Sequence, residues 1–495
     1  MTKEKSRTLL TQHGVSIRQA AIILGIIAVY FIITAFQPPE GLTPSGLKAI
    51  ALMVCVVLTW ATQVVPIIVS SVFFIFLIGA MGLAKPELIL DPITGLLVSD
   101  PITETMVIKD FASHVIFFMF VSILLAYAMD RCGMNQRLAL KMTALSKGSP
   151  KAMVLLFMAG TGIVSMIISN VPSCAAFLPI VLAVCKKNDC IKGKSNFAKA
   201  SIIGIIFAAM VGGNATPAGS PINIMALDLL KRGTGLDISF AQWSLMGIPL
   251  VLLIIPVLWL ILITVFPPEF KKLAGLEDSK EELAKLGKLN TQEWKFIAIV
   301  LVMLFFWFTN PYLHKISTTA VLAFAAAILF FPGVRLLDYD YVKQKLDWTV
   351  IIMTGASIAF AATMLSTGAS QWIADMTLMR FANVHPVVLV FVIAIFTTLI
   401  HLLIPSCPAL VGVLVPTVIS FAAKAEMPAM MLFLPVAFNV STYWLLPFDP
   451  LPMMCFPEKY FSIKDFFKAG LPAHIALILV SVGIVMFFGK PLGFF

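Results

Sequence analysis

The sequence predicts an all-α polytopic membrane protein, with about eleven transmembrane helices, two re-entrant hairpins and broken helices at the midplane of two inverted repeats. Composition is the first ground. Of 495 residues, 60% are apolar and 12% charged, against roughly 45–50% and about 25% in a soluble domain. The second is the recurrence of apolar runs of about 17–25 residues, the length that crosses a hydrocarbon core of roughly 30 Å. The clearest are Ala20 to Phe36, Val64 to Ala84, His114 to Met129, Leu245 to Phe266, Phe296 to Thr309, Thr318 to Phe331, Val350 to Leu365 and Leu471 to Phe488. The third is a repeated interruption. Two long apolar stretches carry Ser169-Asn170-Val171-Pro172-Ser173 and Ile404-Pro405-Ser406-Cys407-Pro408, and in each a Pro stands ten residues beyond the Ser, at Pro179 and Pro416. Cys132-Gly133-Met134-Asn135 pairs with Thr367-Gly368-Ala369-Ser370 at nearly the same offset.

Taken in order, residues 1–18 read as a basic cytoplasmic tail and 19–40 as a retained first helix. No small-x-small cleavage site closes it before Pro38-Pro39-Glu40. Repeat 1 spans 41–266, with a re-entrant hairpin at about 150–186 and a broken helix at about 200–230. The hairpin reading follows from length. The apolar stretch between Lys151 and Lys186 is too long for one span and is interrupted in its middle. The break lies in Gly212-Gly213-Asn214-Ala215-Thr216-Pro217-Ala218-Gly219-Ser220-Pro221, where so many Gly and Pro residues unwind a helix. Residues 267–294, rich in Lys and Glu, form a cytoplasmic linker with an amphipathic helix. Repeat 2 spans 295–495, with a hairpin at about 385–424 and a broken helix at about 428–457 whose break is Leu446-Pro447-Phe448-Asp449-Pro450-Leu451-Pro452.

The formal net charge of +10 would suggest a nucleic-acid partner in a soluble protein. Here Lys and Arg sit in short loops, the positive-inside pattern, so the charge reports orientation in the lipid bilayer and no nucleic acid is called for. The N-terminus is expected in the cytoplasm and the C-terminus outside, in the cytoplasmic (inner) membrane of a cell. Seven cysteines lie mostly within apolar runs, so no disulfide framework is expected. Cys185 and Cys190 form a C-x4-C pair that lacks two further metal ligands.

The chemistry is expected where half-helices end inside the bilayer. Their free N–H groups and positive dipole ends attract an anion, while unwound carbonyls with Ser and Asn side chains offer hard oxygen ligands to Na⁺. No Lys or Arg interrupts the spans, so a co-bound cation would supply the positive charge and couple the two fluxes.

The motif Ser169-Asn170 at a hairpin tip, followed by Ala215-Thr216-Pro217-Ala218-Gly219-Ser220-Pro221-Ile222-Asn223, resembles the divalent anion/sodium symporter family, carriers of C4-dicarboxylates, citrate or sulfate. The tail from Pro457 through Pro472 is similar to that family's link into its last helix. The resemblance runs from about Gly41 to the C-terminus and implies a first sodium site at Ser165, Ser169, Asn170 and the backbone of Gly219. It also implies an anion grip at Asn170 and Ser220, flanked by Val171 and Pro221, an elevator movement and a homodimer. Val171 departs from the family's Thr. The second half departs further: Ser406-Cys407-Pro408 stands where the family repeats Ser-Asn-Thr, so that the resemblance puts Ser406 and Cys407 at the second part of the anion-binding site, and Asp449 falls at the second sodium site. A midplane carboxylate is costly and therefore a functional candidate. Asp449 is read as binding the second cation, as carrying a proton, or as displaced towards water. His401 either relays a proton or bonds backbone within its hairpin.

The expected function is a secondary transporter of a small di- or tricarboxylate anion coupled to Na⁺, with a substrate exchanger or an H⁺-coupled carrier using Asp449 as the alternatives. An enzyme is not expected. No His-Glu-x-x-His is present, and His401 with Ser406 lacks an oxyanion partner.

Overall fold

The computed structural model describes residues 17–83, 88–90, 97–99, 108–109, 111–274, 276–346, 348–403, 406–447 and 449–493. The expected N-terminal tail falls almost wholly outside these, as do Ile404, Pro405 and Phe448. In chain order the helices begin with α1 (Ile17–Ala35), α2 (Pro44–Thr62) and α3 (Ile67–Ala80), followed by a short antiparallel pair, β1 (Leu88–Leu90) and β2 (Leu97–Ser99). Then come α4 (His114–Arg131), α5 (Met134–Leu145), α6 (Pro150–Ser165), α7 (Asn170–Lys187), α8 (Asn196–Gly212), α9 (Pro221–Thr234) and α10 (Phe240–Val265). The linker helix is α11 (Leu276–Leu286), and α12 (Thr291–Leu313), α13 (Thr318–Phe330), α14 (Tyr339–Lys345), α15 (Trp348–Ser366) and α16 (Ala369–Thr377) follow. The last stretch holds α17 (Pro386–Leu403), α18 (Cys407–Lys424), α19 (Ala429–Val440), α20 (Pro450–Cys455) and α21 (Ile463–Gly489).

Among the described residues nine helices are long and apolar enough to cross a membrane, or ten if α15 and α16, bent by 75°, count as one span. The expected number of spans, about eleven, is met in part. Of the remaining apolar helices, α3, α6, α13 and α19 have 14, 16, 13 and 12 residues, short of a simple crossing, and α17, with 18, stands at the lower bound. Large apolar side chains face outward along both the long and the short apolar helices, among them Leu24, Phe31, Phe76, Leu252 and Phe324. Water would penalise such a surface heavily, whereas lipid tails match it.

The chain divides into two compact units, one of residues 1–111 with 348–373, the other of 112–347 with 374–495. Each unit thus takes segments from both sequence halves. In the first, α3 and α15 pack together with Phe74 against Phe360, and α1, α2 and α3 enclose an apolar cavity of ≈ 470 Å³ lined by residues such as Ile23, Tyr30, Leu52 and Phe73. None of the predicted site residues lines it.

The second unit holds both hairpins and both breaks. Only Met166–Ser169 separates α6 from α7, and the two arms pack on each other. The second hairpin joins α17 to α18, whose boundaries match α7 in length at 18 residues each. Packing crosses between the halves. α7 lies against α20, where Cys174 Sγ is 3.7 Å from Cys455 Sγ, and α18 lies against α9.

The breaks sit where the Gly and Pro content demands in the first copy and earlier than expected in the second. α8 stops at Gly212, two single 3₁₀ turns follow, and α9 restarts at Pro221. In the second copy α19 already stops at Val440, and Pro450 and Leu451-Pro452 belong to α20. The physical reason is that Pro at the first helical position has no N–H to lose and a φ suited to helix, so these prolines start a helix rather than break one. Each unwound strand rests on a glycine of the next long helix. A Cβ at Gly247 of α10 would meet Asn214 O at 2.2 Å, and one at Gly470 of α21 would meet Trp444 O at 1.7 Å. Bare backbone at this depth is thereby buried in protein.

Candidate functional site in the second unit

The first hairpin tip supplies a cluster of oxygens. Ser169 precedes α7 with φ 64 and ψ 151, a conformation costly for a side-chain-bearing residue, and its hydroxyl makes no capping bond. Its carbonyl accepts instead from Ser173 Oγ at 2.8 Å. Ser165, at the end of α6, is fully buried and donates to Ala209 O at 2.7 Å.

One terminal atom of the Asn170 amide lies 3.2 Å from Ala209 O, 3.1 Å from Gly219 O and 3.0 Å from Ser165 Oγ. As nitrogen it donates to all three. Turned over, the same atom is an oxygen that accepts from Ser165 Oγ at 3.0 Å while facing the Ala209 and Gly219 carbonyls. Glycine makes the closeness possible: a Cβ at Gly213 would sit 2.0 Å from the Asn170 amide, and one at Gly219 would sit 2.5 Å from Gly213 O and 2.8 Å from Ser165 O.

Around this cluster the break is held by side chains. Thr216 Oγ1 donates to Met166 O at 2.5 Å and accepts from Gly219 N at 3.0 Å. Asn223 Nδ2 donates to Gly213 O at 2.8 Å and Thr216 O at 3.0 Å. Asn214 Nδ2 reaches Phe438 O at 2.8 Å, and Trp243 Nε1 donates to Asn214 O at 2.9 Å. Ser220 caps α9, its hydroxyl accepting from Ile222 N at 3.3 Å, and Pro221 is the first helical residue.

The structure therefore brings Ser165, Asn170 and the Gly219 carbonyl into one cluster, with Ser169 and Ser220 as the residues that start the two facing helices. Val171 is 40% exposed and points away from this packed core. The cluster also contains what the sequence did not single out: the Ala209 carbonyl, Gly213, and the supporting amides of Asn214 and Asn223. Asn223 had a signal, since it closes the Gly-Ser-Pro-x-Asn element. Ala209 had none, because a carbonyl becomes a ligand through position and not through residue type.

The second hairpin tip is of another chemistry. Ser406 caps α18 with Oγ 3.5 Å from Ala409 N. Cys407 Sγ lies 3.4 and 3.6 Å from the two carboxylate oxygens of Asp449, 3.9 Å from His401 Nε2 and 3.4 Å from Val440 O. Asp449 is 5% exposed and His401 1%. Displacement of Asp449 into water is thus not what the fold does; the carboxylate is enclosed beside a thiol. His401 does not serve as a backbone-bonded residue of its hairpin, since Nδ1 has no partner among the described residues and the ring lies on Tyr443 at 4.2 Å. All seven cysteines are free.

Two facing helix starts, two unwound segments and a buried oxygen cluster in a bundle of apolar spans define a secondary transporter of the broken-helix type. Comparison carries this to a family. The profile of the sodium:sulfate symporter transmembrane region matches residues 18–495, and the chain belongs to that family of sodium-coupled anion symporters. It is a multi-pass membrane transporter and not an enzyme. Among its relatives is the sodium-dependent dicarboxylate transporter SdcS of Staphylococcus saprophyticus, 26% identical over 494 residues, covering 95% of this chain and 91% of that protein. SdcS of Staphylococcus aureus strain USA300 is 25% identical over 490 residues, covering 94% and 90%. A protein of Cupriavidus necator described only as a membrane protein is 24% identical over 468 residues, covering 92% and 89%. Of solved structures, the YdaH transporter of Alcanivorax borkumensis superposes with a TM-score of 0.50 at 15% identity, over 90% of this chain and 99% of that one. That likeness establishes a shared fold.

Proposed function

We propose that this chain carries a small di- or tricarboxylate anion across the cytoplasmic membrane with Na⁺, by an elevator-type movement of a homodimer. Sodium binds among Ser165, Ser169, Asn170 and the backbone of Gly219. Asn170 and Ser220 hold one carboxylate of the anion against the starts of α7 and α9, with Val171 and Pro221 beside it. The observation that supports the reading is the Asn170 amide set within about 3 Å of three oxygens from three segments, which gathers hard-oxygen donors of the kind a small cation takes. The dicarboxylate class rests on the sodium-dependent dicarboxylate transporters among its relatives.

The test is a thermal-shift screen of the purified protein against succinate, malate, fumarate, citrate, tartrate and sulfate, with Na⁺ or with K⁺. Stabilisation is expected only when a carboxylate and Na⁺ are both present, since in coupled binding each completes the other's site and the pair bound to the folded state raises its stability by mass action. Equal stabilisation in K⁺ would sink sodium coupling.

A second reading, an H⁺-coupled carrier or an exchanger, is favoured by the burial of Asp449, for which no ion pair is formed among the described residues. Counterflow in proteoliposomes without ion gradients separates the exchanger from the symporter. A proton gradient in the absence of Na⁺ tests the H⁺-coupled form.

A further inference from the structure

The second hairpin does not repeat the chemistry of the first. The first offers amide, hydroxyl and carbonyl oxygens. The second offers an imidazole, a thiol and a carboxylate: His401 from the last turn of α17 and Cys407 as the first residue of α18 flank the tip of one hairpin, and Asp449 meets them from the start of α20. One ligand atom from each lies within 4.8 Å of the other two.

We infer that His401 Nε2, Cys407 Sγ and the Asp449 carboxylate form a binding site for a thiophilic divalent cation of the Zn²⁺ class. Three observations support it. The first is spacing. In a tetrahedral zinc site with Zn–S near 2.3 Å and Zn–N or Zn–O of about 2.0–2.2 Å, the edges joining ligand atoms are about 3.4–3.6 Å long. The edges here are 3.4 Å from Sγ to Asp449 Oδ1 and 3.9 Å from Sγ to His401 Nε2, and the third, from imidazole to carboxylate, lies within 4.8 Å, so side-chain rotation that moves the ligand atoms by about 1 Å or less closes the set.

The second is donor softness. A thiolate and an imidazole select Zn²⁺ and its neighbours over Na⁺, which wants oxygen alone. The third is unmet charge. Asp449 is buried, and the only hydrogen bonds it receives among the described residues come from the Cys407 thiol, a weak donor. Metal binding replaces that thiol proton, which leaves to solvent, and a +2 ion faces the thiolate and the carboxylate together. His401 Nδ1, buried beside Tyr443, remains for an outer partner. Three protein ligands leave a fourth position for a non-protein ligand.

The site shares no residue with the first sodium cluster, but it takes the position at Asp449 where the resemblance puts a second sodium, so a divalent ion there excludes that second Na⁺. With a metal in place Asp449 carries no transport proton, so the H⁺-coupled reading and this one exclude each other.

The experiment uses the full-length, detergent-purified protein, stripped with a chelator and titrated with Co²⁺ as a spectroscopic substitute. One Co²⁺ per chain with a thiolate-to-cobalt charge-transfer band is expected, displaced by one equivalent of Zn²⁺. The band should vanish in Cys407→Ser and persist in Cys185→Ser/Cys190→Ser. Absence of the band in the wild type, or its loss only in the Cys185/Cys190 variant, overturns the proposal. Should Cys407→Ser fail to fold, zinc-edge X-ray absorption on the wild type decides without a variant. One sulfur with nitrogen and oxygen ligands supports the site; two sulfurs, or none, refute it. None of these readouts requires anion transport, so the proposed function can fail without touching this result.

Discussion

Asn170 stands at the crossing of two demands. It starts α7 and it faces three oxygens from α6, α8 and the break, so its side chain both satisfies carbonyls and lines the proposed ion site. Asn170→Ala is expected to abolish Na⁺-dependent thermal stabilisation while leaving a folded, monodisperse protein; a full Na⁺ response in that variant would dismiss the amide as a ligand. Gly219 answers a different constraint. A methyl there meets Gly213 O at 2.5 Å and Ser165 O at 2.8 Å, and backbone cannot swing aside as a side chain can. Gly219→Ala should cost about 1–3 kcal/mol by overpacking, read as a lowered thermal midpoint with sodium present or absent. Asn223→Ala strands the Gly213 and Thr216 carbonyls inside the protein, and leaving such groups unpaired costs about 1–3 kcal/mol each. A midpoint unchanged from wild type would show that water or a neighbour replaces the amide.

Among the elements, α5 is tied to the linker by one guanidinium. Arg137, 4% exposed, donates to Glu293 at 2.6 and 2.9 Å and to the carbonyls of Leu286, Gly287 and Lys288 at 3.3, 2.7 and 3.1 Å. Glu293 in turn caps α12 by accepting from Asn290 N while Asn290 accepts from Glu293 N. Arg137→Met leaves a buried carboxylate without its partner, a loss of about 3–5 kcal/mol. Adding Glu293→Leu should recover much of it, and a double-mutant cycle of thermal midpoints measures the coupling.

A second tie is sensitive to acid. Asp338 caps α14, and the Tyr341 amide with the Arg131 guanidinium holds its carboxyl below the usual range. Its contribution is therefore present above the ordinary carboxylate pKa and is lost as pH falls through the lowered value in the folded protein. Because the group is exposed, the effect is small and local. Hydrogen exchange at the first turn of α14 should quicken on acidification in the wild type, after correction for intrinsic rates, and show no such step in Asp338→Asn.

At the scale of the molecule, the expected topology places the linker of 267–294 and the N-terminus in the cytoplasm and the C-terminus outside. Single cysteines introduced at Lys280 and Lys490 of a variant lacking the native thiols should label from opposite sides of a sealed vesicle. Labelling from one side refutes that orientation. The elevator movement is likewise a matter of the whole chain. A crosslink between the two compact units that forms without loss of transport would count against it.

What the residues alone determined was local and compositional. Apolar runs demanded a membrane, Gly212 through Pro221 demanded a break, and the Ser169-Asn170 and Ser406-Cys407 interruptions marked where α7 and α18 begin, because periodicity, Pro and Gly act through hydrogen bonds within a few residues. The second break was legible as a region but not as a boundary. Prolines at 450 and 452 suit a helix start as well as a helix stop, and Gly470, far along the chain, is what allows the Trp444 carbonyl to lie bare against α21. Only the tertiary structure set the Asn170 amide against Ala209 and Gly219, and only it brought Asp449 to the hairpin tip that carries His401 and Cys407. Such meetings depend on how whole helices pack across the bundle, and that packing is written in shape and depth, which no spacing along a single chain displays.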